Sequence, residues 1–426
     1  MKELFDIKKY KEIFFCSLFA VVIGVVMGII SGVFGQFLDF IEEVREIHYI
    51  KLVPFMGAAG CLILYMYQKI SPKSEQGLNL AIAYNMGEVS EDGEVRNNSS
   101  KQMIGKYPKG YVFLRLAANA VMLLFGASTG KEGTIATCGA AVGDYVSRIF
   151  KSRRYSKTLL IAGVSAAVAG LFQTPLGGMF FALEFSASGV LFYPALIPAF
   201  IGAYVAFAVS NMCGFTAFHH NVAADFAHTP KNILIMVICA VIFGLLGRLF
   251  VYVLEGSKEL YGKKVKNRYI GMLAAGCVMA AVLIFVKDGR YCGTGASMIN
   301  EIFNHGTFEI YDFVLKFIFT VICITIGFTG GEMMPLMAMG AAAGAALSSL
   351  TGMPLELSAL MGCAAVYSSA TNTLLAPMFI SMEMFGTQNA LFIAAACVIA
   401  FAINGNSSIY TSQRHANRSL YGALKR

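Results

Sequence analysis

The sequence predicts an all-α, polytopic membrane protein built from two related halves. A shortage of charge, a long succession of apolar stretches and an internal repeat carry that prediction. Of the 426 residues only 14% are Asp, Glu, Lys or Arg, while 57% are hydrophobic. Soluble domains average about 25% charged and roughly 45–50% apolar residues, and a soluble fold of this size needs a polar skin. The 34 Phe and 43 Gly suit lipid contact and close helix packing. The composition excludes a soluble enzyme, a disordered scaffold and a porin-type barrel, whose strands would alternate polar and apolar residues.

Residues 1–12 form a charged segment, expected on the cytoplasmic side. The apolar run that follows is too long for a cleaved signal peptide, so residues 13–34 are expected to stay as the first span. Apolar stretches then occupy 13–40, 51–69, 111–126, 134–150, 158–173, 175–187, 190–211, 232–255, 270–287, 311–328, 333–350, 356–370, 374–385 and 388–404. The insertion at 86–109, with Glu88, Glu91, Asp92, Glu94 and Arg96, reads as an exposed loop. Several stretches are shorter than the ~20 residues that span a bilayer upright. Short helices broken by Gly or Pro must end inside protein or at a watery cavity, and such ends serve as ion sites in transporters. Residues 13–410 thus form a single transmembrane domain, and 411–426 a cytoplasmic tail.

The net charge of +8 does not indicate nucleic acid binding. Its basic residues sit in short clusters at the ends of apolar runs: Lys8, Lys9 and Lys11; Lys151, Arg153, Arg154 and Lys157; Lys258, Lys263, Lys264, Lys266 and Arg268; Arg414, Arg418, Lys425 and Arg426. That is the positive-inside pattern of a multi-pass cell-membrane protein with both termini cytoplasmic. Most of the ten cysteines stand alone within apolar runs, without CxxC or Cys/His clusters, so neither a disulfide framework nor a metal site is expected, and no cofactor.

An internal repeat organises the chain. Residues 174–184 read TPLGGMFFALE and 373–383 read TLLAPMFISME, each preceded by a small-residue helix. Upstream, Gly130-Lys131-Glu132-Gly133-Thr134 precedes GAAVG at 139–143, and Gly330-Gly331-Glu332-Met333-Met334-Pro335 precedes GAAAG at 340–344. The offset is 199 to 201 residues throughout, giving a first repeat at about 51–211 and a second at about 232–410. Duplicated halves with interrupted helices at matching places point to a transport site between them. Their relative sense, parallel or inverted, is left open by the sequence.

Glu132, flanked by Gly130 and Gly133, places an ionisable group at membrane depth, where it is costly and functional by default. The glycines free backbone N–H groups at the start of the following helix, an anion cradle that the carboxylate itself can occupy and vacate on protonation. Glu132 is therefore a candidate gate and proton carrier; helix capping is the alternative. Glu184 and Glu383 are repeat-equivalent and read as structural carboxylates that satisfy helix ends. Ser128 and Thr329 are further hydroxyl donors. Residues 126–131 (GASTGK) imitate a phosphate loop but lack its spacing and the Ser or Thr after Lys, which excludes nucleotide binding.

Gly130-Lys131-Glu132-Gly133 resembles the G(K/R)EG(P) signature of the CLC family of chloride channels and anion/proton antiporters. Gly331–Pro335 is similar to its GxFxP motif, Ala162–Glu184 to its stretch ending in APLAG and an acidic residue, and Tyr410 matches its central tyrosine in position. The resemblance implies two inverted halves with many short, broken or tilted helices, a homodimer and one anion pathway per subunit. It makes Glu132 the gating glutamate, Tyr410 the inner-gate tyrosine, and the backbone about Gly130, Lys131, Gly133, Met333 and Met334 the anion site. With a 16-residue tail after Tyr410, no CBS domains are expected.

The departures matter as well. Gly77-Leu78-Asn79 stands where the family has GSGIP, so Leu78 or Asn79 replaces the anion-contacting serine. Thr134 replaces a proline, Glu332 and Met333 replace an apolar residue and Phe, and Phe185 stands where chloride exchangers carry an internal proton-transfer Glu. This set resembles the family's bacterial fluoride/proton antiporters. The expected function is fluoride export in exchange for protons, with Glu332 either holding a second proton or capping its helix. The alternative is a chloride-selective channel or exchanger of the same fold. An intramembrane enzyme would need a nucleophile–base pair or metal motif, and none is present.

Overall fold

The computed structural model describes residues 7–70, 75–86, 88–89, 95–96, 107–150, 155–224 and 226–415. Glu91, Asp92 and Glu94 of the 86–109 insertion, the basic residues Lys151, Arg153 and Arg154, and the tail residues Arg418, Lys425 and Arg426 lie outside them, as do residues 1–6.

The described residues fold into α-helices with only two-residue β ladders, Glu88–Val89 with Val95–Arg96 and Ala187–Ser188 with Arg414–His415. The first half comprises α1 (Ile7–Leu52), α2 (Met56–Ile70), α3 (Leu78–Met86), α4 (Tyr111–Leu124), α5 (Glu132–Ile149), α6 (Ser156–Phe172), α7 (Pro175–Glu184) and α8 (Leu196–Met212). The second comprises α9 (Pro230–Lys264), α10 (Arg268–Phe285), α11 (Ala296–His305), α12 (Asp312–Thr325), α13 (Met333–Thr351), α14 (Leu355–Thr371), α15 (Leu375–Phe385) and α16 (Ala390–Asn404). Every apolar stretch has become a helix. The first of them extends well past residue 40, because Ile41 and Arg45 still face protein. At 46 residues, α1 is roughly 70 Å long, more than twice the ~30 Å of a bilayer core. Non-helical torsions at His48 kink its end.

Two helices carry no apolar stretch, α3 and α11. Both are short, both begin after a left-handed glycine (Gly77, φ 57°; Gly295, φ 87°), and they occupy equivalent places in the two halves.

Packing repeats with the sequence. α5 lies on α6 as α13 lies on α14; α1 contacts α6 and α8 as α9 contacts α14 and α16. The small-residue runs explain the α5–α6 and α13–α14 pairs: a Cβ on Gly139 or Gly163 would overlap the other's carbonyl oxygen, and Gly340 and Gly362 repeat that contact. Between the halves, α2 packs on α10 and α7 on α15. The Gly130 and Gly331 turns meet as an antiparallel bridge between equivalent positions, with N–H···O distances of 2.6 and 2.8 Å. Antiparallel pairing of equivalent segments sets the halves in opposite senses, so the repeat is inverted.

Five helical segments are long and apolar enough to cross a membrane, beginning at Lys11, Tyr193, Pro230, Arg268 and Met333. α1, α9 and α10 turn large apolar side chains outward, among them Phe37, Leu249 and Phe285. α6, α13 and α14 are enclosed almost entirely by protein. That enclosure is what lets short helices end at membrane depth without exposing free backbone groups to lipid.

Candidate functional site: a carboxylate at three converging helix starts

Three helices begin at one small cavity: α3 at Leu78, α5 at Glu132 and α13 at Met333. Helix starts present unpaired N–H groups and the positive end of the helix dipole, so their convergence favours negative charge. Leu78, Glu132, Gly133, Val168, Phe181, Glu332, Met333 and Tyr410 line the cavity. It holds about 10 Å³ of room for the centre of a water-sized sphere, space for roughly one water molecule.

Glu132 is buried, and its Oε1 accepts the Met334 N–H at 3.0 Å. Its Oε2 is buried without a hydrogen-bond partner. The carboxylate folds back over Gly130, where a Cβ would collide with Oε2, and rests against Gly331, whose Cβ would lie 2.5 Å from the same atom. Both turns therefore have to be glycine for the side chain to fit. Expectation and structure differ on one point: the cradle holding the carboxylate is the start of α13, in the other half, rather than the start of its own helix.

The other expected residues divide. Leu78, Gly133, Met333 and Tyr410 face the cavity, and Met334 contributes its amide to Glu132. Gly130 makes no free donor, because its N–H is spent on the Gly331 carbonyl. Lys131 points away, 3.5 Å from Asp39 on α1 and 6.0 Å above the Phe215 ring. Asn79 also turns aside: its Oδ1 accepts the Ser412 N–H at 3.3 Å, tying α3 to the segment that carries Tyr410. Glu332 stands at the N-cap of α13 with no side-chain capping bond, and its side chain borders the cavity instead.

Glu184 and Glu383 do satisfy helix ends, but each those of the opposite half. Glu184 accepts Leu375 and Ala376 N–H at 3.0 Å, and Glu383 accepts Leu176 and Gly177 N–H at 3.0 and 2.8 Å. Between them Phe180 stacks on Phe379 with ring centroids 4.5 Å apart. Phe185 is fully buried beyond Glu184, so no carboxylate stands at that place.

Sequence reasoning did not single out Asn119 or Lys316 among the polar groups near these turns. Asn119 on α4 donates from Nδ2 to the carbonyls of Gly130 and Thr329 at 3.1 and 3.4 Å. Arg115, one turn earlier, reaches the Tyr67 hydroxyl, which also meets the Thr329 hydroxyl at 3.1 Å. Lys316 is its counterpart in the repeat, fully buried, with Nζ donating to the Tyr291 and Gly293 carbonyls at 3.2 and 2.9 Å. The repeat offset would have found Lys316 from Arg115, had it been extended beyond the glycine motifs.

Residues 59–405 match the family described as voltage gated chloride channel. A chloride/fluoride channel protein of Pseudomonas syringae pv. tomato is 30% identical over 401 residues, which is 92% of this chain and 84% of that protein. The crystal structure of a CLC-type fluoride/proton antiporter superposes with a TM-score of 0.89 at 32% identity, covering 96% of this chain and 99% of the other. A slow cyanobacterial Cl⁻/H⁺ antiporter shares the fold, with a TM-score of 0.78 at 16% identity over 96% and 98% of the two chains.

Proposed function

The chain belongs to the voltage-gated chloride channel (CLC) family, a family of membrane channels and transporters, and from that membership and the geometry of its site we propose that it exchanges fluoride for protons. The observation that carries the reading is the Glu132 carboxylate seated on the Met334 amide at the start of α13, beside a cavity with room for about one water-sized sphere. A carboxylate in an anion's place is a competitor for it. Protonated Glu132 gives up the amide, and an anion takes its place among the converging helix starts; when the anion leaves, the ionised side chain returns. Anion and proton thus alternate at one location, which couples their movements in opposite directions.

Two features support fluoride over chloride. Fluoride is tightly hydrated, so its site must replace water with well-aimed donors, here backbone N–H groups. The fluoride/proton antiporter, at 32% identity, is a fluoride transporter, and the P. syringae relative is a chloride/fluoride channel protein. Glu332, on the cavity wall without a capping role, is the second carboxylate available to hold a proton. Tyr410 lines the cavity with Leu78, and we assign it the inner-gate role. The protein works as a homodimer in the cell membrane with both termini cytoplasmic, in keeping with the basic start of α1 and the basic end of α9.

Proteoliposomes loaded with fluoride or with chloride test the reading. Fluoride efflux should exceed chloride efflux by at least about tenfold, a difference of roughly 1.4 kcal/mol; equal rates would remove the fluoride assignment. Glu132→Gln should abolish fluoride-driven proton uptake, and intact uptake would show that Glu132 is not the gate.

A further inference from the structure

The parts of the site that touch the carboxylate belong to two separate turns, one in each half. The turn through Gly130 carries Glu132, and the turn through Gly331 carries the Met334 amide. Their backbones are joined at one bridge, Gly130 to Gly331. Two hydrogen bonds between one pair of residues define an axis, about which the turns can still swing. Ser128 refers the first turn to α12, its N–H meeting Cys323 Sγ and its hydroxyl meeting Thr320; a point common to both turns is what further holds Glu132 in register with Met334.

Asn119 supplies that point. It is fully buried on α4, and one amide group donates to both turns, to Gly130 O and to Thr329 O. The Thr129 hydroxyl also reaches Thr329 O, at 3.4 Å, but it belongs to the turn itself; Asn119 stands on a helix and refers both turns to a rigid element. The arrangement costs something, because Asn119 Oδ1 is buried with no partner, and an unpaired buried acceptor is unfavourable. Turning the amide over would set Oδ1 against two carbonyl oxygens, so the two turns themselves fix its orientation. The repeat shows that the clamp is not demanded by the fold. Thr320, the equivalent on α12, meets the hydroxyl of Ser128, the repeat counterpart of Thr329, at 3.1 Å, so contact with the opposite turn recurs but the two-carbonyl clamp does not. The pseudo-symmetry is thus broken in the half that carries the gate.

We propose that Asn119 is a positioning residue for exchange: by tying the Gly130 and Gly331 turns to α4 it holds the Glu132 carboxylate on the Met334 amide, and so sets how tightly proton movement is coupled to anion movement. The inference rests on the reading of Glu132 as gate and proton carrier. Its chemistry requires only N–H donors, and neither carbonyl is orphaned without them: Gly130 O retains the Gly331 N–H, and Thr329 O retains the Thr129 hydroxyl.

The test compares wild type, Asn119→Leu, Asn119→Asp and Glu132→Gln as full-length proteins in proteoliposomes, reading anion flux and proton flux together with melting temperature. Asn119→Leu should keep anion flux and melt within a few degrees of wild type, while its proton-to-fluoride ratio falls by about tenfold, since a misplacement near 1 Å can cost that much or more. Asn119→Asp offers at most one proton for two carbonyls, so its proton-to-fluoride ratio should fall below wild type at every pH; a merely structural role would leave the ratio at the wild-type value. A wild-type ratio in Asn119→Leu overturns the proposal. Should that variant fail to fold, an Asn119→Asp ratio that tracks wild type at every pH overturns it instead. If Glu132→Gln remains coupled, the gate assignment itself fails; if Glu132→Gln is uncoupled and Asn119→Leu is not, only the role of Asn119 is lost.

Discussion

At the scale of single residues, backbone geometry sorts the motif by function. The GKEG sequence suggests four contributors to an anion site, yet only Glu132 and Gly133 border the cavity. Gly130 gives space and the bridge, and Lys131 leaves for Asp39, which is 54% exposed. Pairs with an exposed partner contribute about 0–1 kcal/mol, and the ammonium lies outside the site. Lys131→Met should therefore change the fluoride concentration for half-maximal transport by less than about twofold. A shift of tenfold would mean that the lysine faces the anion during the cycle. Glu132 was legible because a carboxylate between glycines in an apolar context is costly to keep unless it has a task. Asn119 was not, because an asparagine in an apolar run is equally compatible with many buried hydrogen bonds, and its two acceptors are backbone carbonyls that carry no sequence signal.

At the scale of elements, helix starts and crossings do the positioning. The short helices were legible as apolar stretches flanked by Gly or Pro, and the small-residue runs marked the close α5–α6 and α13–α14 pairs. Those crossings tolerate no side chain. Gly163→Val should abolish recovery of folded protein, since its Cβ would overlap the Gly139 carbonyl and overpacking costs about 1–3 kcal/mol even where neighbours can relax; Gly362→Val should do the same in the other half. Size-exclusion profiles after detergent extraction decide this, and a monodisperse Gly163→Val peak at wild-type yield would contradict the packing. α3 and α11 escaped a hydropathy reading because ten residues or fewer with interspersed Asn, His and Glu look like loop. Their termini are set by left-handed glycines and by burial that only the assembled halves create. Glu184 and Glu383 show the same limit: the sequence marks them as cappers, but not that each caps the opposite half.

At the scale of the whole molecule, inversion of the halves brings helix starts from both to one place, so a site for negative charge arises without a cationic side chain on its wall. Exchange has a definite sign there. With equal fluoride on both sides and voltage clamped at zero, acidifying the outside should drive protons in and fluoride out. Passive permeation of HF would move fluoride inward under the same gradient, so the direction of net flux alone separates the two. A channel would give no net flux through the protein, and that result would remove coupling from the assignment.

Composition and spacing alone establish the membrane environment, the duplication and most of the helices, and they single out Glu132 as the candidate gate. Each of these follows from composition or from spacing along one chain. The tertiary structure decided that the halves are inverted, that Glu132 sits on the Met334 amide of the other half, that Lys131 and Asn79 turn away, and that Asn119 ties the two turns together. Those facts depend on pairs of residues some 200 positions apart, and on backbone donors whose direction is set by how two helices meet rather than by which residues they contain.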